Sequence, residues 1–469
     1  MKKLSVLIGT TLLAACAGLP NRGVQPEMKP IEKYAGEKSF AAEVGQWPSD
    51  SWWAQYGDAQ LNALVDEALA GSPSLAAADA RVRRALAVAD GANAARLPQA
   101  SINSSASEQK QSYNYLSPVA FTPHGWKDYG RATFDLSWEL DFWGKNRAAY
   151  AAATSDAAAV QADAAQARIA LAASIASAYA ELAREYSALD TAQAALDVRR
   201  KTAELFRTRF QNGLETIGSV RQVESRRAAA EADVLALQEQ IALQRNRVAA
   251  LLGAGPDRGL TIERPTLNFT RVFALPAQLA ANLIGRRPDL TAARFRAEAA
   301  SKRIHQAQAA FYPNVNLMGF IGAQSLGLDM LNKNGSSISS VGPAISLPIF
   351  TGGRLRAQLH SADADYAEAV ANYDRTVVQA LQEVADAVVS KKALAPQLAR
   401  IDDAVSAARE AWRVQNNRYE GGLAAYLDVL SAEDYLLSNL RTQADLQSRS
   451  FTLDVALVRA LGGGYSHPF

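Results

Sequence analysis

The chain has 469 residues, 49% of them hydrophobic, and a mean hydropathy of −0.12, which suits long amphipathic elements better than one compact core. Its 49 basic and 47 acidic residues leave a net charge of +2, so no electrostatic attraction to nucleic acid is expected. No uninterrupted apolar run reaches the roughly 18 residues of a membrane-spanning helix, so any membrane span must be built from strands.

The N-terminus resembles a bacterial lipoprotein signal. Two lysines precede a short apolar stretch that ends at Ala15, directly before Cys16, the only cysteine of the chain. We predict that 1–15 form a signal peptide and that lipidated Cys16 begins an extended N-terminal segment, 16–58. The alternative is an ordinary signal peptide with a chance cysteine. Ala17 follows without the aspartate that retains many lipoproteins at the inner membrane, which resembles an outer-membrane address.

A two-faced strand precedes a very long helix in the first half of the chain. From Arg131 to Phe142, every even position is apolar and every odd one is polar or charged. The stretch from Lys145 to Asn212 contains neither Gly nor Pro and predicts a helix of roughly 100 Å. We predict a first structural repeat over 59–255, with a strand hairpin at about 99–143 and long helices at about 145–212 and 216–253.

The same layout returns at a nearly constant distance along the chain. Residues 215 positions apart match before each hairpin, and residues 209 positions apart match after it, as in Pro73 with Pro288, Gly213 with Gly422, and Gly253 with Gly462. This spacing predicts an internal duplication. We predict a linker at 256–275, a second repeat at 276–463 with a hairpin at about 314–350 and long helices at about 353–420 and 424–462, and a tail at 464–469.

Four strands per chain cannot close into a barrel by themselves. The smallest transmembrane barrels have about eight strands, and an open edge leaves backbone groups unpaired in lipid. We therefore expect the protein to oligomerise, so that copies related by rotation close the sheet. The alternative is a pair of water-exposed hairpins on a soluble body.

Motifs that carry catalytic or metal chemistry are missing from the sequence. It contains no phosphate-binding loop, zinc spacing or nucleophile elbow. The four histidines are scattered among unrelated segments, at His124, His305, His360 and His467. A solvated or packing role is the simpler explanation for each of them. We therefore predict no catalytic residue, no metal and no cofactor, and we expect that the protein is not an enzyme.

Several short motifs follow one another along almost the whole mature chain. They are Trp52-Trp53, Ser72-Pro73-Ser74-Leu75, Trp138 to Gly144, Arg286 to Leu290, Phe311-Tyr312-Pro313, Leu347 to Phe350, and Arg418 to Leu430. Each motif alone is weak, but the ordered set is specific. Together they resemble the TolC-like outer-membrane efflux channel family (outer membrane factors), in particular the lipoprotein branch of tripartite multidrug efflux systems.

The resemblance implies a mainly α fold with a transmembrane β portion. In a homotrimer, four strands per chain would contribute to a 12-stranded β-barrel that is continuous with a long periplasmic α-helical barrel. The implied function is a passive exit duct for drugs and small toxic compounds in the bacterial outer membrane. A periplasmic adaptor (membrane fusion) protein would join it to an inner-membrane pump. The alternatives are a duct for protein or peptide export (type I secretion) and, more distantly, a periplasmic coiled-coil scaffold.

The resemblance also implies roles for the two turns between the long helices. These turns would form the periplasmic tips of the channel. Gly213, Leu214, Gly422 and Leu423 match the turns that dock the adaptor in the family. The simpler interpretation is that the glycines end helices with left-handed caps, which holds in either case.

Two residues near the second turn match gate positions of the family. Tyr419 matches a tyrosine that ties the entrance shut through hydrogen bonds, and Asp428 matches an aspartate of the lumen. Three such carboxylates around one constriction would attract cations. Ala424 and Ser431 stand where some relatives have an arginine partner and a second aspartate, so we expect a different closing network here. The alternative for Asp428 is an ordinary solvent-facing helix aspartate.

Overall fold

The computed structural model describes residues 20, 22–30, 33–34, 40, 44–114, 119–266, 275–276, 283 and 285–466. The predicted signal peptide and Cys16 lie outside these residues. The chain divides into two compact units. The sheet unit comprises Met1–Met28, Val82–Val160 and Ala293–Tyr373, and the helix unit comprises Lys29–Arg81, Gln161–Ala292 and Asp374–Phe469.

α-Helices account for most of the described chain. In order they are α1 (Ala59–Gly71), α2 (Pro73–Ala94), α3 (Lys145–Gln211), α4 (Ile217–Leu252), α5 (Pro256–Leu260), α6 (Pro288–Ala309), α7 (Arg354–Glu420) and α8 (Tyr426–Ala460). Helices α3 and α4 form a first helical hairpin, and α7 and α8 form a second. Within the described ranges, no helix combines the length and the apolar character needed to cross a membrane.

The strands form one four-stranded antiparallel sheet and one short pair. The strands are β1 (Val44–Gly45), β2 (Gln99–Lys110), β3 (Trp126–Leu140), β4 (Leu275–Pro276), β5 (Asn314–Leu326) and β6 (Ser337–Ser346). The large sheet has the order β2-β3-β5-β6, and each neighbouring pair is antiparallel. The two hairpins that the repeats predict therefore join side by side through β3 and β5.

The two faces of this sheet differ in polarity, as the alternation in β3 predicts. Ile102, Phe134 and Ile321 pair across three neighbouring strands, and they are 80%, 47% and 64% exposed. Asn103 and Thr133, one step along, pair on the opposite face, because side chains alternate along a strand. The sheet thus presents an uncovered apolar face and a polar face.

The helix unit is built around an aromatic core. Trp52, Tyr179 and Phe451 are among its largest fully buried side chains, and the Tyr56 and Phe451 rings lie 4.3 Å apart. Trp52–Tyr56 forms a buried 3₁₀ helix that ends at a left-handed glycine. The last part of the segment that we expected to be extended is therefore folded, because three aromatic side chains gain by leaving water.

Asp58 is a buried carboxylate that joins three segments of the helix unit. It is 2% exposed, and it caps α1 by accepting hydrogen bonds from the backbone of Gln60 and Leu61 at 2.8 and 3.0 Å. The Tyr179 hydroxyl donates to it at 3.0 Å, and Thr266 donates from its backbone and hydroxyl at 2.8 and 3.1 Å. Burial alone would raise the pKa of Asp58, but the hydrogen bonds outweigh it and lower the pKa.

We expect Asp58→Asn to lower the free energy of unfolding by about 2–3 kcal/mol at pH 7. The NH2 group of asparagine is itself a donor, so it cannot accept the hydrogen bonds that a carboxylate oxygen accepts at this position. The pKa of Asp58 is lower in the folded protein than the ordinary aspartate pKa of about 3.9. The stabilisation that ionised Asp58 gives the fold is therefore complete above pH ~3.9, and it is lost as the pH falls through the lowered pKa. Denaturant unfolding of the solubilised proteins should therefore show a difference in unfolding free energy between the wild type and Asp58→Asn that shrinks on acidification below pH ~4. A difference that grew in acid would contradict this account.

Candidate functional site

The two turns that close the helical hairpins have the same backbone. The first tip turn is 212–216 and the second is 421–425. In the first, the Leu214 amide donates to the Arg209 carbonyl at 2.8 Å, and in the second the Leu423 amide donates to the Arg418 carbonyl at 2.7 Å. Gly213 and Gly422 have φ values of +73° and +72°, which glycine adopts without strain. Both turns are therefore left-handed helix caps, which holds whatever else they do.

Exposed apolar side chains project from both tip turns. Leu214 is 68% exposed and Leu423 is 73% exposed, although leucine is usually buried. Ile217 and Leu427, at the starts of α4 and α8, are also exposed. The four predicted docking residues thus lie at the surface of the turns, in two equivalent copies per chain.

Asp428 lies in the first turn of α8 and is exposed. One of its carboxylate oxygens accepts a hydrogen bond from the Ala425 amide at 3.2 Å. This contact caps a helix whose N-cap residue, an alanine, has no acceptor of its own, whereas Thr216 caps α4 with its hydroxyl. The side chain predicted for the lumen therefore also has a local structural role.

Tyr419 belongs to an aromatic cluster at the second tip. We define the aromatic cluster as Phe206 from α3, Tyr419 from α7 and Tyr426 from α8. The Phe206 and Tyr426 ring centroids lie 4.7 Å apart, and those of Tyr419 and Tyr426 lie 5.3 Å apart. Phe206 is buried beside Ala203, Val220 and Val223. The cluster packs the second helical hairpin against α3 of the first.

Arg209 of α3 supplies the polar partner of Tyr419. Its Nη1 donates to the Tyr419 hydroxyl at 3.2 Å, and its guanidinium lies 5.6 Å from the centre of the ring. Burial raises the pKa of Tyr419, so the phenol stays protonated at neutral pH. The sequence motifs did not predict this pairing. Arg209 thus supplies a hydrogen bond to Tyr419 that the alanine side chain at position 424 could not make.

A layer of charged residues links α3, α4 and α8 next to the aromatic cluster. We define the ionic layer as Arg199 (α3), Arg226 (α4), Glu433 and Asp434 (both α8). Arg199 approaches Asp434 at 3.2 Å and Glu433 at 3.5 Å, while Arg226 reaches Asp434 at 3.5 Å. Glu433 is buried and Asp434 is exposed. These four side chains form the second set of contacts between the second helical hairpin and the first.

The polar face of the sheet is a separate set of functional groups, in the sheet unit. Asp135 accepts hydrogen bonds from Asn103 at 3.0 Å and from Thr133 at 2.7 Å. The Arg131 guanidinium lies 5.1 Å from the centre of the Phe320 ring. These residues provide charge and hydrogen-bonding capacity on one side of the sheet, while the other side is apolar.

Neither site gathers the groups that a metal ion would need. Across the described part of the chain, no three His, Cys, Asp or Glu side chains come together in a metal-binding arrangement. His124 contacts the Tyr113 ring at a centroid distance of 4.8 Å, which is a packing contact. What the tips offer instead is a pair of apolar surfaces and a set of contacts between two hairpins.

Comparison with known proteins gives concordant matches. A family model described as "Outer membrane efflux protein" matches residues 64–254 and 279–463. The fusaric acid resistance protein FusA of Burkholderia cepacia is 37% identical over 371 residues, which are 77% of this chain and 69% of that protein. The multidrug resistance outer membrane protein MdtP of Shigella flexneri is 30% identical over 470 residues, 98% of this chain and 96% of that protein.

Solved structures show the same fold. The outer membrane protein VceC of Vibrio cholerae is similar with a TM-score of 0.84 and 51% identity, covering 90% of this chain and 100% of that one. The predicted resemblance and the predicted mainly α fold with a β portion are thereby confirmed. The two matched stretches of the family model also correspond to the two halves of the predicted duplication.

Proposed function

Because this chain belongs to the outer membrane efflux protein family, we propose that it is the outer-membrane channel of a tripartite efflux system in a bacterial outer membrane. The observation that carries the proposal is the sheet, whose apolar face is exposed and whose opposite face is polar. Such a sheet suits contact with lipid on one side and with water on the other.

The assembly we propose is a homotrimer. The edge strands β2 and β6 each lack a partner on their outer side within the described sheet, and they run antiparallel to one another. Rotation by a three-fold axis would therefore place β6 of one copy antiparallel to β2 of the next and close twelve strands without an edge. The long helices would continue as a periplasmic α-helical barrel. The acylated Cys16 would add a lipid anchor.

Transport through this duct is passive in our proposal. An inner-membrane pump would drive it through a periplasmic adaptor. The exposed Leu214 and Leu423, each held by a neighbouring glycine, offer the adaptor two equivalent apolar contacts per chain. The relatives are named for resistance to drugs and to fusaric acid, which favours small toxic compounds as cargo over exported proteins or peptides.

The gate of the duct, in this proposal, is the contact between the second helical hairpin and α3. The aromatic cluster and the Arg209–Tyr419 hydrogen bond both cross this contact. Opening would separate α7 and α8 from α3. Asp428, which is exposed beside the same tip, would face the lumen in the trimer and form a ring of three carboxylates there.

We expect the trimer to conduct ions when it is reconstituted in a planar bilayer, and we expect Arg209→Ala and Tyr419→Phe to raise the conductance. Each variant removes the hydrogen bond between hairpins, which is worth about 1.5 kcal/mol or more because arginine is charged, so the opening constant should rise roughly tenfold. Single-channel recording at neutral pH measures the effect.

The matched control is Arg418→Ala, because Arg418 occupies the position of Arg209 in the other repeat. Its guanidinium is exposed, and within the part of the chain that the structure describes it donates only to the Leu423 carbonyl, at 3.4 Å. We expect the conductance of this variant to stay near the wild-type value. An equal rise in conductance in both arginine variants would show that the contact between Arg209 and Tyr419 is not the gate. The absence of any ion current would reject the proposal that the protein is a duct.

A further inference from the structure

The duplication places a glutamate at the same position in both return helices, Glu224 in α4 and Glu433 in α8. Glu224 is fully paired inside its own hairpin. Arg207 donates to one of its oxygens at 2.5 Å and Arg221 donates to the other at 2.8 Å. These two hydrogen bonds lower the pKa of Glu224. In the first hairpin, this glutamate therefore stabilises the pair of helices to which it belongs.

The second hairpin has lost both partners of its glutamate. At the offset of 209, Asn416 stands in place of Arg207 and Leu430 in place of Arg221. The Asn416 amide instead donates to Glu420 at 2.8 Å. Among the described residues, the cations that act on Glu433 are Arg199 and Arg226, and both belong to the first hairpin.

Glu433 is buried against the first hairpin, and its carboxylate oxygen Oε1 is incompletely paired there. It is 4% exposed, and Arg199 of α3 approaches its Oε1 only to 3.5 Å. In the described part of the chain, neither that oxygen nor Arg199 Nε has a hydrogen-bond partner. Arg199 makes its closer contact with Asp434, at 3.2 Å.

The electrostatic surroundings of Glu433 come from three helices. Burial raises its pKa, Arg199 on α3 and Arg226 on α4 oppose that rise, and Asp434 on α8 adds to it. Burial raises the pKa of the Tyr426 phenol of α8 to about 12, and the charge of nearby Glu433 adds to that rise. A buried carboxylate in this setting is stabilised less than it would be in water, because its incomplete ion pair does not repay the loss of hydration.

We propose that Glu433 is a positioning residue that keeps the closed tip poised to open, because its buried carboxylate penalises the contact between α8 and α3 and regains water when that contact opens. The inference rests on the proposed gate between the two hairpins. In this arrangement Arg209 and the aromatic cluster hold the tip closed, and Glu433 works against them.

A definite pH dependence follows from the direction of the shift. In the closed tip the pKa of Glu433 lies above its ordinary value, whereas a glutamate exposed by opening keeps a value of about 4.3. Protons therefore bind preferentially to the closed tip, and acidification favours closure. This is the opposite of what an ordinary stabilising ion pair would do, since protonation would break such a pair and favour opening.

The test is the conductance of the reconstituted trimer between pH 8 and pH 5. We expect the wild-type conductance to fall severalfold on acidification, because protons bind more tightly to the closed tip than to the open one. Glu433→Gln, which keeps the shape and removes the charge, should show low conductance throughout and a flat pH profile. Glu224→Gln, the matched control in the other repeat, should keep the wild-type response to pH.

Each alternative outcome has a distinct meaning. A rise of wild-type conductance in acid, or a higher conductance in Glu433→Gln, would show that Glu433 stabilises closure and would overturn the inference. An unchanged pH response in Glu433→Gln would overturn it as well. Tyr419→Phe reports on the proposed gate separately, because it should raise the conductance at every pH. Should the Glu433→Gln trimer not assemble, the sign of the wild-type response still decides.

Discussion

Gly462→Ala is expected to reduce the free energy of unfolding by more than ~3 kcal/mol and to prevent the folded protein from accumulating. Gly462 ends α8 with a φ of +88°, where an alanine is strained. A Cβ at this position would also lie 1.8 Å from the Arg286 carbonyl oxygen and 2.8 Å from its carbon. Both are backbone atoms, so the clash cannot be relieved by a side-chain rotation.

Gly422→Ala separates the cost of backbone strain from the cost of the steric clash. Gly422 has a similar φ of +72°, but a Cβ there would meet no atom within 4 Å. It should therefore cost only the backbone strain, about 1–2 kcal/mol. Denaturant unfolding of the solubilised variants measures both values. Equal losses would mean that α8 shifts away from Arg286 at little cost, and the close packing inferred at this helix end would be wrong.

Arg287→Ala is expected to cost about 3 kcal/mol or more, because it removes a buried cation from two carboxylates. The residue is 4% exposed, and its guanidinium donates to Asp289 at 2.6 and 3.0 Å, to Glu383 at 2.9 Å and to the Ala460 carbonyl at 3.0 Å. All three partners lose the arginine as a donor at once in the variant. The expected result is a lower unfolding midpoint at neutral pH.

Two further variants test whether geometry or charge is responsible. Arg287→Lys keeps the charge but cannot reach three partners with one ammonium group, so it should lose an intermediate amount. Arg294→Ala removes an arginine that pairs with Glu298 one turn away at the surface, and it should cost less than about 0.5 kcal/mol. A loss in Arg287→Ala no larger than in Arg294→Ala would mean that the buried network adds nothing to stability.

The repeated helices and the central strands could be predicted from the sequence because their signals are local. Strand β3 alternates strictly, and α3 contains no residue that would end it before its tip. Strand β2 was harder, since Gln99 to Ser107 is polar and alternates only roughly. It forms because all twelve of its residues, Gln99 to Lys110, pair with β3, so the neighbouring strand supplies the order that its own side chains do not.

The tip contacts could be predicted only in part. The glycines of the tip turns were evident because a left-handed cap has a local sequence signature. The pairing of Arg209 with Tyr419 had none, since the two residues are joined only by the packing of α3 against the second hairpin. For Asp428 the structure adds a capping contact that the family match did not suggest. Its place in the lumen, the docking surface and the lipid on Cys16 stay predictions.

The strand order β2-β3-β5-β6 has a consequence for biosynthesis. Tyr129 pairs with Leu326 and Leu140 with Val315, so the centre of the sheet joins segments that are separated by the whole first helical hairpin. An isolated two-stranded hairpin is marginally stable, and contacts between distant segments form slowly. The first pair of strands must therefore wait for the second half of the chain to be delivered. During that interval its apolar face is open to aggregation, and periplasmic chaperones have most to protect there.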